Sequence, residues 1–193
     1  MSDELPRREL NRAHTWLAIH EAACALVLRD GLAAATVDAI SEQADVSRRT
    51  FFNYFPTKED AVLGLKAPRL DEESLEAFAE PTDLFGRVVH LMSSTVRTAV
   101  HMDTSGERRE LLKRYPELRT RLEQQLREAE VLVQNVLVEQ SSTSPESSRA
   151  LVMFAGTVMR FAFAPQPDGS IDDSRQALDA AIIQFRTIVK EAL

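Results

Sequence analysis

The chain has 193 residues, 44% of them apolar, enough for one globular domain or two small ones with a buried core. A formal net charge of −7 excludes a general, charge-driven nucleic-acid binder, which needs a basic surplus, and the single cysteine, Cys24, excludes an internal disulfide. No run of about 18 apolar residues is present to span a bilayer, and the N-terminus lacks the apolar stretch of a secretory signal, so a cytoplasmic protein without membrane contact is expected.

Six glycines and an abundance of Ala, Leu, Glu, Arg and Val predict an all-α fold. Residues 1–8 are charged, contain Pro6 and show no apolar pattern, so they read as a tail whose Arg7 and Arg8 are placed to reach a phosphate or a minor groove. Residues 9–29 form a first helix with an apolar stripe of Trp16, Ile19, Ala23 and Leu26, stopped by Gly31. His20 and Cys24 stand four apart on it, but no third ligand follows at a metal-binding interval, so core packing is expected and no metal or other cofactor.

Residues 36–60 read as two short helices, a tight turn between them and the capped start of a third: a helix-turn-helix. Thr36 is a good N-cap, and Val37, Ile40 and Ala44 recur at spacings of three and four. Asp45 and Val46 make the turn. Ser47 caps the next helix, where Phe51 and Phe55 share one side and Arg48, Arg49, Thr50 and Asn53 occupy the other side or the leading edge. Pro56 ends that helix, and residues 57–60 form a capping-box pattern opening another, expected to run to about Lys66 before Pro68. Residues 1–65 hold seven Lys and Arg against ten Asp and Glu, so any DNA contact rests on a local cluster of Arg48, Arg49 and Lys58.

The run ATVDAISEQADVSRRTFFNYFPTKEDAV resembles the DNA-binding segment of TetR-family transcriptional regulators. Thr36, Ile40, Ala44, Val46, Ser47, Thr50, Phe51, Tyr54, Phe55 and Lys58 stand at the family's pattern positions, and the likeness covers roughly residues 15–65. It departs at Asp45, in place of a turn glycine, at Arg49 and Ser41, and at Phe52, where a tyrosine often donates its hydroxyl to a phosphate. An aspartate tolerates a left-handed turn better than most residues. The resemblance implies an N-terminal three-helix DNA-binding domain at residues 1–66, followed by a helical ligand-binding and dimerisation domain at residues 67–193.

Beyond residue 66 the pattern stays helical. Residues 71–80 place Leu75 and Phe78 three apart, and Thr82 or Asp83 caps a helix with a broad apolar face from Leu84 to Val100. Residues 101–106 read as a turn, and Pro116 divides the following charged stretch into a short helix and a long one. Residues 147–164 are apolar nearly all round except Arg149 and Arg160, which requires cover on more than one side. Residues 172–193 close the chain, and the resemblance makes these last two helices a dimer interface of the four-helix-bundle kind.

The function implied by the resemblance is a ligand-responsive transcriptional repressor. It binds a near-palindromic double-stranded DNA operator as a homodimer and is released by a small, mostly apolar inducer. Arg48 and Arg49 are the expected base or phosphate contacts, Thr50 and Asn53 are secondary, Thr36, Tyr54 and Lys58 position the protein on the phosphate backbone, and Ser47 is a further DNA-binding candidate. Phe78, Phe85, Met92, Met153 and Phe154 are the expected cavity lining. An enzyme is not expected: His14, His20, His90 and His101 are scattered, and no glycine-rich phosphate loop or nucleophile elbow occurs. The rival reading is a DNA-bound adaptor whose second domain binds a protein: a pocket of several hundred Å³ inside that domain favours the repressor, and a filled core with an exposed apolar patch favours the adaptor.

Overall fold

The computed structural model describes residues 7–80, 83–100, 107–141, 143–164, 172 and 174–192. Within them the helices are α1 (Arg7–Asp30), α2 (Val37–Gln43), α3 (Arg48–Tyr54), α4 (Lys58–Leu63), α5 (Glu72–Ala79), α6 (Leu84–Ala99), α7 (Glu107–Arg114), α8 (Pro116–Gln140), α9 (Pro145–Ala162) and α10 (Arg175–Ala192). The chain divides into two compact units, residues 1–66 with 105–123 and residues 67–104 with 124–193. Of the residues assigned to the second domain from the sequence, 107–123 fall in the first unit.

In the first unit, α1 packs on α2 and α4, and α2 on α3. Trp16, Ile19, Ala23, Leu26 and Val27 of α1 are buried, as are Ile40, Phe51, Phe55, Ala61, Val62 and Leu63 of the segment that follows. The Trp16 and Phe55 ring centroids lie 5.4 Å apart. Each large side chain so buried contributes about 1.5–3 kcal/mol, which holds three helices too short to persist alone. His20 and Cys24 serve this packing: His20 Nδ1 lies 2.7 Å from the Ala61 carbonyl and Cys24 Sγ donates to the Val62 carbonyl at 3.2 Å, tying α1 to α4. Among the described residues no group of three or more His, Cys, Asp or Glu is arranged for a metal ion.

Several boundaries differ from expectation: α9 runs Pro145–Ala162 in place of 147–164 and α10 begins at Arg175 in place of 172, and two differences lie in the first unit. Arg7 and Arg8 lie in the first turn of α1, not in a separate tail; residues 1–6 fall outside the described residues. Helix α4 stops at Leu63, three residues short of Lys66, because Gly64 adopts φ 60° and ψ 42°. That left-handed conformation ends the hydrogen-bonded ladder, and glycine takes it at little steric cost.

In the second unit, α6 packs on α5 and α9, and α10 on α6 and α9. The core joins Phe78, Val88, Val89, Leu91 and Met92 to Val133 and Leu137 of α8, Val152, Ala155 and Val158 of α9, and Leu178, Ala181 and Ile182 of α10. Asp71 and Asp83 cap α5 and α6 through the amides of Ser74 and Gly86. Thr82 and the expected turn at residues 101–106 lie outside the described residues. Helix α9 buries a single stripe, Ser148, Val152, Ala155 and Val158, and leaves Met153, Phe154 and Phe161 exposed on its other faces. Among the described residues no helix is long and apolar enough to cross a membrane.

Candidate nucleic-acid interface and ligand groove

The helix-turn-helix is built by three caps and one strained residue. Thr36 is extended (φ −81°, ψ 159°), and its hydroxyl accepts from the Ala39 amide at 3.2 Å, opening α2. Asp45 takes φ 52°, the left-handed conformation in which a short polar side chain is better tolerated than most. It lets the chain reverse so that the Val46 amide donates to the Ser41 carbonyl at 2.9 Å. Ser47 then accepts from the Thr50 amide at 2.9 Å and shares a hydrogen bond with the Thr50 hydroxyl at 2.8 Å, opening α3. Thr57 and Asp60 form a reciprocal capping box at α4.

Burial of Phe51 and Phe55 sets the rotation of α3. Arg48, Arg49, Phe52 and Asn53 are left exposed, with Thr50 and Tyr54 half-buried. The two arginines differ. Arg48 Nη1 donates to Asp38 Oδ1 on α2 at 2.5 Å, and its guanidinium carbon lies 5.5 Å from the Phe52 ring centroid. Phe52 stands edge-on to the buried Phe51, with centroids 5.4 Å apart and planes at 86°. Arg49 is exposed and forms no ion pair with Asp45. Lys58, half-buried, donates from Nζ to the Leu32 carbonyl at 2.6 Å, bridging α4 to the turn after α1. Asp38 was absent from the residues singled out in the sequence: it stands ten positions before Arg48, and only the chain reversal at Asp45 brings the two side chains together.

The second unit carries a groove of about 1000 Å³ between α5, α6 and α10. Phe78, Leu91, Leu178 and Ile182 supply apolar lining; Arg87, Asp179 and Arg186 supply charge, and His90 adds a polar ring. His90 Nε2 lies 2.9 Å from Asp179 Oδ1, Arg186 pairs with Asp83, and Arg87 donates to the Phe78 carbonyl with its guanidinium carbon 5.0 Å from that residue's ring centroid.

Of the five side chains expected to line a cavity, Phe78 borders this groove and is itself buried in the core. Phe85 and Met92 belong to the core or pack against it. Met153 and Phe154 are 61% and 55% exposed, because the buried stripe of α9 runs through positions 148, 152, 155 and 158 and turns 153 and 154 away. Met153 instead borders a shallower groove of about 340 Å³ with Gln134, Pro145 and Arg149. The α10 contribution carried no sequence signal, since periodicity does not say which distant helices meet.

Residues 19–63 match the family described as bacterial regulatory proteins, tetR family. The chain is also similar to a solved structure titled "Crystal structure of multidrug binding protein EbrR complexed with imidazole", over 86% of this chain and 92% of that one, with 22% sequence identity and a TM-score of 0.42. No curated protein matches the chain.

Proposed function

We propose, from the match of residues 19–63 to the tetR family of bacterial regulatory proteins, that this chain is a dimeric, ligand-responsive transcriptional repressor. The observation that carries the reading is α3 itself: Phe51 and Phe55 are buried, so Arg48, Arg49 and Asn53 face solvent together. A short helix projecting arginines fits a major groove, where a guanidinium meets guanine O6 and N7. Two copies related by a two-fold axis read half-sites about 34–36 Å apart, which makes the operator a near-palindrome. Thr36, Ser47, Thr50, Tyr54 and Lys58 position the protein on the sugar-phosphate backbone.

Self-association is supported by the apolar side chains on α9 and α10 that the single chain leaves uncovered: Met153, Phe154, Phe161, Ile183, Ile188 and Val189. Burying such a surface against its own two-fold copy is the usual solution for a symmetric dimer. The groove of about 1000 Å³ supports a small-molecule sensor over an adaptor. Its ion pairs and arginines call for a ligand with polar groups as well as apolar surface. The ligand releases DNA by binding more tightly to the state whose reading helices no longer match the operator.

The test is fluorescence-anisotropy titration of the purified protein against DNA fragments flanking its own gene, at fixed salt with non-specific competitor. Saturable binding to one fragment, reversed by a compound that also raises the melting temperature, is the expected result. Equal binding to all fragments overturns the proposal.

A further inference from the structure

We propose that Asp38 sets the sequence specificity of the reading helix by fixing the aim of Arg48. The inference rests on the DNA-binding reading above and deepens it. An exposed arginine has many rotamers, and one that must be ordered at the moment of contact discriminates bases poorly because the ordering entropy opposes it. Arg48 is restrained on two sides before any DNA arrives. Asp38 Oδ1 accepts from Nη1 at 2.5 Å, and the Phe52 ring lies 5.5 Å from the guanidinium carbon. Phe52 is itself held edge-on against the buried Phe51, and Asp38 sits in the first turn of α2, whose start is fixed by the Thr36 cap.

The stoichiometry of donors leaves a reading face. A guanidinium carries five N–H groups in a planar fork, and the Asp38 carboxylate takes one from Nη1, so donors remain for a base edge with two adjacent acceptors. Guanine presents such an edge in the major groove, which makes a G·C pair the preferred partner of Arg48. The same contact neutralises the Arg48 charge, so that the pair adds little to sequence-independent phosphate attraction, a duty left to Arg49. An exposed ion pair of this kind adds little to stability; its consequence is for the aim of Arg48. Asp38 is thus a positioning residue, acting on DNA through Arg48.

The experiment selects the operator from randomised DNA with the wild-type protein, then measures affinities for it and for single-base-pair variants at fixed salt. The proteins compared are wild type, Asp38→Ala, Asp38→Asn, Arg48→Ala and the double variant Asp38→Ala with Arg48→Ala. Wild type should favour G·C at one position of each half-site by about tenfold or more, and Arg48→Ala should abolish that preference. Asp38→Ala should lose most of it at that position alone, while its affinity for non-specific DNA rises and the salt dependence of binding steepens. In the Arg48→Ala background, removing Asp38 should change no base preference further, an absence of effect that a merely structural role does not produce. Asp38→Asn, which keeps the side-chain shape and an oxygen acceptor but not the charge, should show a smaller loss at the same position. Retention of the G·C preference in both Asp38 variants, or its equal loss at every position, overturns the proposal while leaving the regulator reading intact. Failure of wild type to select any sequence overturns that reading and this one with it.

Discussion

Arg121 Nε lies 2.7 Å from Asp60 Oδ1. Asp60 is 1% exposed, and its other carboxylate oxygen already accepts from the amide and hydroxyl of Thr57 at 3.1 and 2.7 Å. One carboxylate therefore both opens α4 and receives a cation from the first turns of α8. The approach at Oδ1 is an ion pair without the alignment of a full hydrogen bond, and its strength comes from the low dielectric around a buried charge.

Asp60→Ala removes the capping box and leaves the Arg121 guanidinium without its carboxylate. It should destabilise the first unit by roughly 3–5 kcal/mol, the range for breaking a buried pair from one side. Arg121→Ala should cost less, because Asp60 keeps its Thr57 donors. Urea denaturation of both variants checks the order; equal losses would show that the ion pair, not the cap, dominates.

The two arginines and Lys58 should separate in binding assays. Replacing Arg48 and Arg49 together by alanine should abolish preference for the operator while the protein stays folded, as circular dichroism would show. Lys58→Ala should weaken binding to all sequences alike and reduce the salt slope by about one. Because Lys58 also bridges to the Leu32 carbonyl, its loss should lower the melting temperature slightly. A Lys58 effect confined to one sequence would contradict a phosphate role.

A charge on the uncovered face should separate subunits without unfolding them. Ile183 is 63% exposed in the single chain, so Ile183→Glu leaves the monomer core intact but places a carboxylate in the proposed interface. Sedimentation velocity should show monomers, and operator affinity should fall with the loss of the second half-site. A fully dimeric Ile183→Glu would move the interface elsewhere.

The cap of α5 predicts a pH dependence. Burial raises the Asp71 pKa, but hydrogen bonds from the Ser74 amide and from the Ser74 and Ser94 hydroxyls outweigh it and hold the group below its ordinary value. With the folded pKa depressed, this contribution is present above the unfolded value of about 3.9 and is lost as pH falls through the folded pKa. Asp71→Ala should cost about 0.5–2 kcal/mol at neutral pH. Asp71→Asn should keep most of the cap and lose its acid limb, measured as the difference in stability between neutral and strongly acidic pH.

The helix-turn-helix was legible because its determinants are local. Thr36, Ser47 and Thr57 sit one residue before their helices and bond to amides three residues on, and the buried Ile40, Phe51 and Phe55 follow helical spacing. Such features depend on near neighbours along the chain, so residue order alone determines them. The partners of the site are different. Asp38 beside Arg48, the Leu32 carbonyl under Lys58 and the assembly of the groove from α5, α6 and α10 depend on which helices meet and at what rotation. Helix α9 shows the reason most plainly: it is apolar on nearly every face, so its composition is satisfied by many rotations. Packing against α6 and α10 selected the one that buries Val152, Ala155 and Val158 and turns Met153 and Phe154 outward.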